Sequence, residues 1–259
     1  MKAPLLLIAV LMVGTTAAPR ALADEFSHDL WARVLAQYVD DRGFVDYAGL
    51  AKNRRDLDRY IMQVESYSPA SHPQMFTSRD HQLAYYLNAY NAQVFQGVLA
   101  NGTSKSVWGF LGTGYGFFVG MDIVIGGKET NLKKLEDVTI REGFADPRIH
   151  AALNCASAGC PRLPQEPFLG DTLDAQLDAA MTEFATSENH VRLDAGNNKV
   201  AISKIFNWFE DDFLDEEKSR GVAKPNIVGY LNRYRGDAGP IPAGASVSYL
   251  PYDKGLNSQ

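Results

Sequence analysis

The chain has 259 residues, with 25 Lys and Arg against 31 Asp and Glu, a formal net charge of −6, and 46% hydrophobic residues. An acidic chain with no Lys/Arg cluster interleaved with aromatics argues against a nucleic-acid partner, because its surface repels the phosphate backbone. The apolar fraction suffices for a core without covalent staples, and two cysteines are too few for a disulfide scaffold.

Lys2 precedes an apolar run from Leu5 to Val13, and small residues then lead to Ala21-Leu22-Ala23. That order of charged, apolar and A-x-A regions predicts an export signal at residues 1–23, removed to leave one domain at 24–259. Loss of Lys2 and Arg20, with no acid, moves the net charge from −6 to about −8. The run is too short to span a bilayer, which takes about 20 apolar residues, and no later stretch approaches that length. A periplasmic or secreted protein with no stable membrane span is the expectation.

Phe26, Leu30, Trp31, Val34, Leu35 and Tyr38 recur at three- and four-residue steps and predict a helix from Phe26 to Asp41, with Ser27 as its cap. A second helix is expected from Leu50 to Glu65. The longest runs from Ser78 to Leu99, where Leu83, Tyr86, Leu87, Tyr90, Val94 and Val98 form a stripe and Gly102 follows the end. Asn88 and Asn91 flank that stripe. Asparagine competes for backbone partners inside helices, so these two are expected either to pin neighbouring loops or to orient a catalytic group.

An aromatic, glycine-rich stretch, Trp108 to Phe118, is followed by Met121–Ile125 and the Gly126-Gly127 turn. Those glycines lack the companions of a phosphate loop. Asn131 is positioned to cap a helix from Leu132 to Arg141. Beyond it, Thr172 to Ser187 reads as a helix and Val191–Leu193 with Val200–Ile202 as a hairpin around Ala195-Gly-Asn-Asn198. Ser203 would cap a helix bearing Ile205, Phe206, Trp208 and Phe209. Helices outnumber strands and the strands fall in hairpins, which predicts a helix-rich α+β single domain; a papain-like or transglutaminase-like arrangement is compatible with it.

Four blocks carry a resemblance: Tyr86-Leu-Asn-Ala-Tyr-Asn-Ala92; Ile125-Gly-Gly with Leu132 to Arg141; Asp146-Pro-Arg-Ile-His-Ala-Ala-Leu-Asn-Cys155 running to Cys160-Pro161; and Ile202 to Phe213. In kind and order they resemble the domain of unknown function 547 family, best over residues 83–213. Tyr252-Asp-Lys-Gly-Leu-Asn257 resembles the closing motif of that family, with Lys254 where an aromatic is expected. The resemblance implies an intact domain and brings no assigned reaction with it.

Chemistry is expected between Arg148 and Arg162, which enclose both cysteines, Cys155 and Cys160, and one of five histidines, His150. A cysteine is a nucleophile as thiolate, and its ordinary pKa of about 8.5 must be lowered by an imidazolium, a helix N-terminus or another positive group. His150 is the nearest candidate base, with His81 and His190 as rivals and Arg141, Arg148 and Arg162 supplying positive charge. Were residues 149–154 a strand, His150 and Cys155 would point to opposite faces, so a turn is required to join them. Glu129, Glu136, Asn88 or Asn91 would orient the imidazole.

Two thiols five residues apart, with Ser157-Ala-Gly159 between them, equally suit a Cys155–Cys160 disulfide or redox-active pair. The H-x4-C-x4-C spacing is not a common zinc framework, and no cofactor or metal is called for. Two functions follow. One is a thiol-dependent Cys–His hydrolase or acyltransferase acting on a peptide, isopeptide or cell-envelope substrate. The other is a binding or assembly module, braced by the disulfide, that meets a protein partner through the Trp108 to Phe118 segment.

Overall fold

The computed structural model describes residues 25–102, 105–109 and 115–259. The expected export signal at residues 1–23 and part of the aromatic segment, residues 110–114, lie outside them. The fold is helix-rich α+β, with one two-stranded and one three-stranded sheet.

Four helices open the domain: α1 (Asp29–Tyr38), α2 (Tyr47–Lys52), α3 (Arg55–Ser66) and α4 (Arg79–Asn101). The first is shorter than its apolar periodicity predicts. Ser27 Oγ does accept the Asp29 N–H at 3.2 Å, but the chain leaves the helix at Val39, which bridges to Val45. The second expected helix is two, broken at Asn53, whose extended backbone restarts the chain at Arg54. Ser78 caps α4 by accepting the His81 N–H, and Gly102 ends it in a left-handed conformation.

Nearly every residue of α4 from Leu83 to Val98 is buried, so this helix is enclosed on all sides and sits in the middle of the core, with Asn88, Asn91 and Gln93 as its buried polar residues. Its own Tyr85, Tyr90 and Phe95 are fully buried, as are Trp31 of α1 and Tyr60 of α3. Each such side chain contributes roughly 1.5–3 kcal/mol by leaving water.

After α5 (Gly116–Gly120), strands β1 (Asp122–Ile125) and β2 (Lys128–Asn131) pair antiparallel, with Ile125 opposite Lys128. Only Gly126 and Gly127 lie between them, both at positive φ (57° and 81°), the requirement of a two-residue hairpin turn that glycine meets without strain. Asn131 caps the helical stretch that follows. It is not one regular helix: α6 (Leu132–Lys134) passes into a π-helical segment, Leu135–Arg141, and ends in α7 (Glu142–Phe144). The segment buries Leu135 and Ile140 and carries Glu136, Asp137 and Arg141.

A 3-10 turn, Pro147–Ala151, and an irregular segment lead to α8 (Leu173–Thr186). The expected hairpin forms as β3 (Val191–Asp194) and β4 (Lys199–Ile202). Helices α9 (Ile205–Trp208), α10 (Glu210–Ser219) and α11 (Ile227–Asn232) then cross over to β5 (Ser246–Tyr249), which pairs parallel with β4. This third strand has no hairpin signal in the sequence, because its partner lies a long crossover away.

Two apolar clusters result. One gathers α1 to α4 with Ile149, Ala152 and Leu153; the other gathers α8, β3, β4, α9 and α11 with Ala151. The turn at 147–151 therefore runs along the seam between them. Cys155 packs on the first cluster and Tyr252 on the second.

Candidate functional site

The segment after the 3-10 turn is fixed from α4. Asn91 Oδ1 accepts the Asn154 N–H at 2.9 Å, and Asn91 Nδ2 donates to Ala152 O at 3.0 Å. Asn154 in turn accepts the Ala156 N–H at 2.9 Å and donates to Pro161 O at 3.1 Å. These bonds hold Ala156 at φ 60°, a left-handed conformation unusual for a residue with a Cβ. The chain doubles back there and brings Cys160 beside Cys155.

The two cysteines are free thiols with their sulfurs 2.8 Å apart. The Cys155 N–H donates to Cys160 Sγ at 3.1 Å, and the Cys160 N–H donates to Ser157 O at 3.0 Å. Tyr252 Oη lies 3.1 Å from Cys155 Sγ and 3.2 Å from Cys160 Sγ. Ser157 Oγ stands 3.5 Å from Cys155 Sγ and accepts the Trp108 indole N–H at 2.7 Å.

Tyr252 arrives on the segment after β5, which is stitched to the cysteine loop: Gly159 N–H donates to Asp253 O at 2.9 Å and Ala158 N–H to Gly255 O at 2.8 Å. A Cβ at Gly159 would lie 2.9 Å from the Asp253 backbone, so only glycine allows this approach.

The two sulfurs are electrostatically unequal. The hydrogen bond from Cys160 holds the Cys155 thiol below its ordinary value, against burial, with further help from Ser157 and Tyr252. Burial pushes the Cys160 thiol well up, and so does the proton it shares with Cys155. Cys155 is half-buried; Cys160 is buried and contributes to the wall of an open groove of about 980 Å³ also lined by Tyr252, Arg162, Gln165, His190 and Asp253. One thiol is thus the better anion and the other its proton-bearing neighbour.

His150 is placed differently from the expected dyad. Its Nε2 lies 2.7 Å from Asp212 Oδ2, and its ring stacks on Phe209 at 4.1 Å. Among the described residues no hydrogen bond links it to Cys155. Arg141 donates to both Asp212 oxygens, at 2.9 and 3.0 Å, and to Asp137 at 3.0 Å. Burial works against the Asp212 carboxylate, but His150 and Arg141 outweigh it and hold its pKa at about 2. Burial pushes His150 below its ordinary value. An ionised Asp212 accepts only, so Nε2 carries the imidazole proton and Nδ1 the lone pair.

The rival histidines are elsewhere. His81 Nε2 meets Glu25 at 2.6 Å, and Ser78 Oγ lies 2.7 Å from its Nδ1. Burial takes His190 to about 4 in the groove wall. Glu129 is exposed on β2. Glu136 accepts the Tyr90 hydroxyl at 2.9 Å near the cysteines, and burial raises its carboxyl. Asn88, like Asn91, binds backbone: it accepts the Phe168 N–H at 3.0 Å and donates to Phe168 O at 2.7 Å. Both asparagines are therefore loop-pinning residues.

The sequence assigns no site role to Asp212 or Tyr252, and it marks Ser157 only as part of a turn and Trp108 only as part of an aromatic contact segment. Asp212 stood within the block ending at Phe213 and Tyr252 opened the closing block, so position marked both while spacing could not pair them with a site far away in the chain. Among the described residues no group of three or more His, Cys, Asp and Glu side chains is arranged to hold a metal ion. No helix among them is long and apolar enough to cross a membrane.

Residues 74–185 match the model of the family described as Protein of unknown function, DUF547. That stretch of the chain is similar to this family and contains α4, the π-helical segment, His150, Cys155 and Cys160, while Asp212 and Tyr252 lie beyond it. No curated protein and no solved structure matches the chain.

Proposed function

We propose that the protein is an exported thiol-dependent enzyme whose reaction is thiol–disulfide exchange at Cys155 and Cys160. The observation that carries this reading is the pair itself: two free thiols 2.8 Å apart, one favoured as thiolate and the other as thiol. A nucleophile that attacks disulfides must be a thiolate, and a second thiol within bonding reach resolves the adduct.

Cys155 S⁻ attacks one sulfur of a substrate disulfide; a Cys155–substrate S–S bond forms, the substrate S–S bond breaks, and the first substrate thiolate leaves. Cys155 has then lost the charge that kept Cys160 protonated. Cys160 gives up its proton to that thiolate or to solvent and attacks Cys155 Sγ, expelling the second substrate thiolate, which takes up a proton. The dithiol is oxidised by two electrons and the substrate disulfide reduced by two. In reverse, the Cys155–Cys160 disulfide oxidises a client dithiol. Hydrogen bonds that favour the Cys155 thiolate stabilise the reduced pair and make its disulfide the stronger oxidant. Disulfide-bearing peptides and proteins of the cell envelope are the substrate class that fits the expected export.

The test uses bis(2-hydroxyethyl) disulfide and mass spectrometry. The wild-type chain should lose two hydrogens as the bridge forms, Cys160→Ser should trap a mixed disulfide on Cys155, and Cys155→Ser should do neither. Wild-type thiols that remain reduced, or a Cys155→Ser chain that forms the adduct equally well, would overturn the reading.

The His150–Asp212 pair favours a second reading, Cys155-dependent acyl transfer to or from a peptide or isopeptide, since a carboxylate-oriented imidazole is the base such chemistry uses. It requires His150 to serve Cys155. A His150→Ala change would then abolish Cys155 reactivity, whereas exchange through Cys160 leaves it largely intact.

A further inference from the structure

We propose that Tyr252 is a catalytic residue of this exchange, a single hydroxyl donor that follows the negative charge from one cysteine sulfur to the other; the proposal rests on the exchange reading above. Tyr252 Oη is 3.1 Å from Cys155 Sγ and 3.2 Å from Cys160 Sγ, and the sulfurs are 2.8 Å from each other. The three atoms form a nearly equilateral triangle. Rotation about the phenol C–O bond therefore turns the one O–H toward either sulfur while the ring stays in place.

Each sulfur also has a polar partner of its own. The Cys155 thiol donates to Ser157 Oγ at 3.5 Å, and the Cys155 N–H donates to Cys160 Sγ at 3.1 Å. Neither can serve the opposite sulfur as the reaction proceeds, so the shared donor is the one that matches a moving charge. The need is greatest at Cys160, which is only 7% exposed and cannot rely on water when it ionises. Burial and the two neighbouring sulfurs push the Tyr252 phenol itself far up, so it stays protonated and acts as donor rather than base.

The ring is held for this task. Trp208 packs on it at 4.8 Å and Trp108 at 5.9 Å between ring centres. The Leu250 N–H bond to Ile202 O at 2.8 Å anchors the segment on one side, and the Gly159 N–H bond to Asp253 O at 2.9 Å anchors it on the other. In the first step Tyr252 O–H supports the Cys155 thiolate. Once Cys155 carries the substrate sulfur, the same O–H turns to Cys160 and stabilises the thiolate that attacks.

Tyr252→Phe keeps the ring and removes the donor. Alkylation by iodoacetamide, followed across pH, reads Cys155 in a Cys160→Ser background and Cys160 in a Cys155→Ser background. Tyr252→Phe should move the midpoint of both profiles upward and lower reactivity on the acid side by about tenfold, the effect of losing one hydrogen bond to a charged group, with the alkaline plateau unchanged. A packing role alone would lower the melting temperature and leave both midpoints in place. Should a single-thiol chain fail to fold, the ultraviolet thiolate absorbance of the intact pair, with and without Tyr252→Phe, gives the same comparison. Intact exchange with unmoved midpoints, or a shift at Cys155 alone, overturns the role given to Tyr252. Failure of the wild-type pair to react with bis(2-hydroxyethyl) disulfide overturns the exchange reading instead.

Discussion

Asn91 Oδ1 accepts the Asn154 N–H at 2.9 Å, which ties the middle of the most buried helix to the residue before Cys155. The bond converts the rigidity of α4 into the position of a sulfur. Asn91→Leu leaves the Asn154 N–H and the Ala152 carbonyl without this partner, and should cost about 1–3 kcal/mol in denaturant unfolding. Asn88→Leu should cost a similar amount through Phe168. Only Asn91→Leu should also change the rate of Cys155 alkylation, because only Asn91 holds the cysteine segment. Equal melting temperatures for both variants and wild type would refute the account of these amides.

The elements legible in the sequence are those whose signals are local. The stripe from Leu83 to Val98 with Ser78 and Gly102 at its ends, the Gly126-Gly127 turn, and the Val191 to Ile202 hairpin each rest on neighbours in the chain. What was not legible depends on distant partners. The parallel pairing of β4 with β5, the Asp212 partner of His150, and the Tyr252 cap on both sulfurs join residues that no periodicity relates. Proximity in sequence also misled in one respect: His150 lies five residues from Cys155, yet the 3-10 turn at Pro147–Ala151 directs its imidazole to Asp212 across the seam.

Asp212 sets a first pH dependence. Its carboxyl is at about 2 in the folded chain against 3.8 ordinarily. A carboxyl depressed by folding contributes stability that is present above the unfolded value and lost as pH falls from there through about 2. The contribution at neutral pH is on the order of 2 kcal/mol. Asp212→Asn should lower stability at pH 7 by about that amount and flatten the loss between pH 4 and 2. A variant that unfolds in acid with the wild-type slope would show that His150 and Arg141 do not stabilise this carboxylate.

Histidines act at higher pH. Burial takes both His28 and His190 to about 4, below the ordinary 6.5. The unfolded chain then binds protons that the folded chain refuses, so stability is full above 6.5 and declines as pH falls through about 4. His190→Gln should remove part of this decline while leaving the steeper Asp212-dependent loss below it. Chemical unfolding at pH 7, 5 and 4 measures both parts, and an unchanged difference between pH 7 and 4 would exclude His190 as a contributor.

Export is tested at the N-terminus. The A-x-A pattern at Ala21 and Ala23 after the Leu5 to Val13 run predicts that mature protein begins at Asp24. N-terminal sequencing of cell-envelope fractions should read Asp24-Glu25-Phe26. Material that retains Met1 in a membrane fraction would replace the cleaved signal with an anchor.

Cys155 and Cys160 provide the sharpest discrimination between exchange and acyl transfer. Because the Cys160 hydrogen bond is the largest influence lowering the Cys155 thiol, Cys160→Ala should slow alkylation of Cys155 at pH 7 by about tenfold, while an upward shift in the pH midpoint preserves the rate in alkali. In the wild-type chain Cys155 should label before Cys160, whose thiol is both buried and raised. His150→Ala should leave the Cys155 rate within about twofold, since the imidazole is committed to Asp212 at 2.7 Å. The opposite pattern, in which His150→Ala silences Cys155 and Cys160→Ala leaves it unaffected, would transfer the activation of the nucleophile from the neighbouring thiol to the imidazole and the reaction from sulfur exchange to acyl transfer.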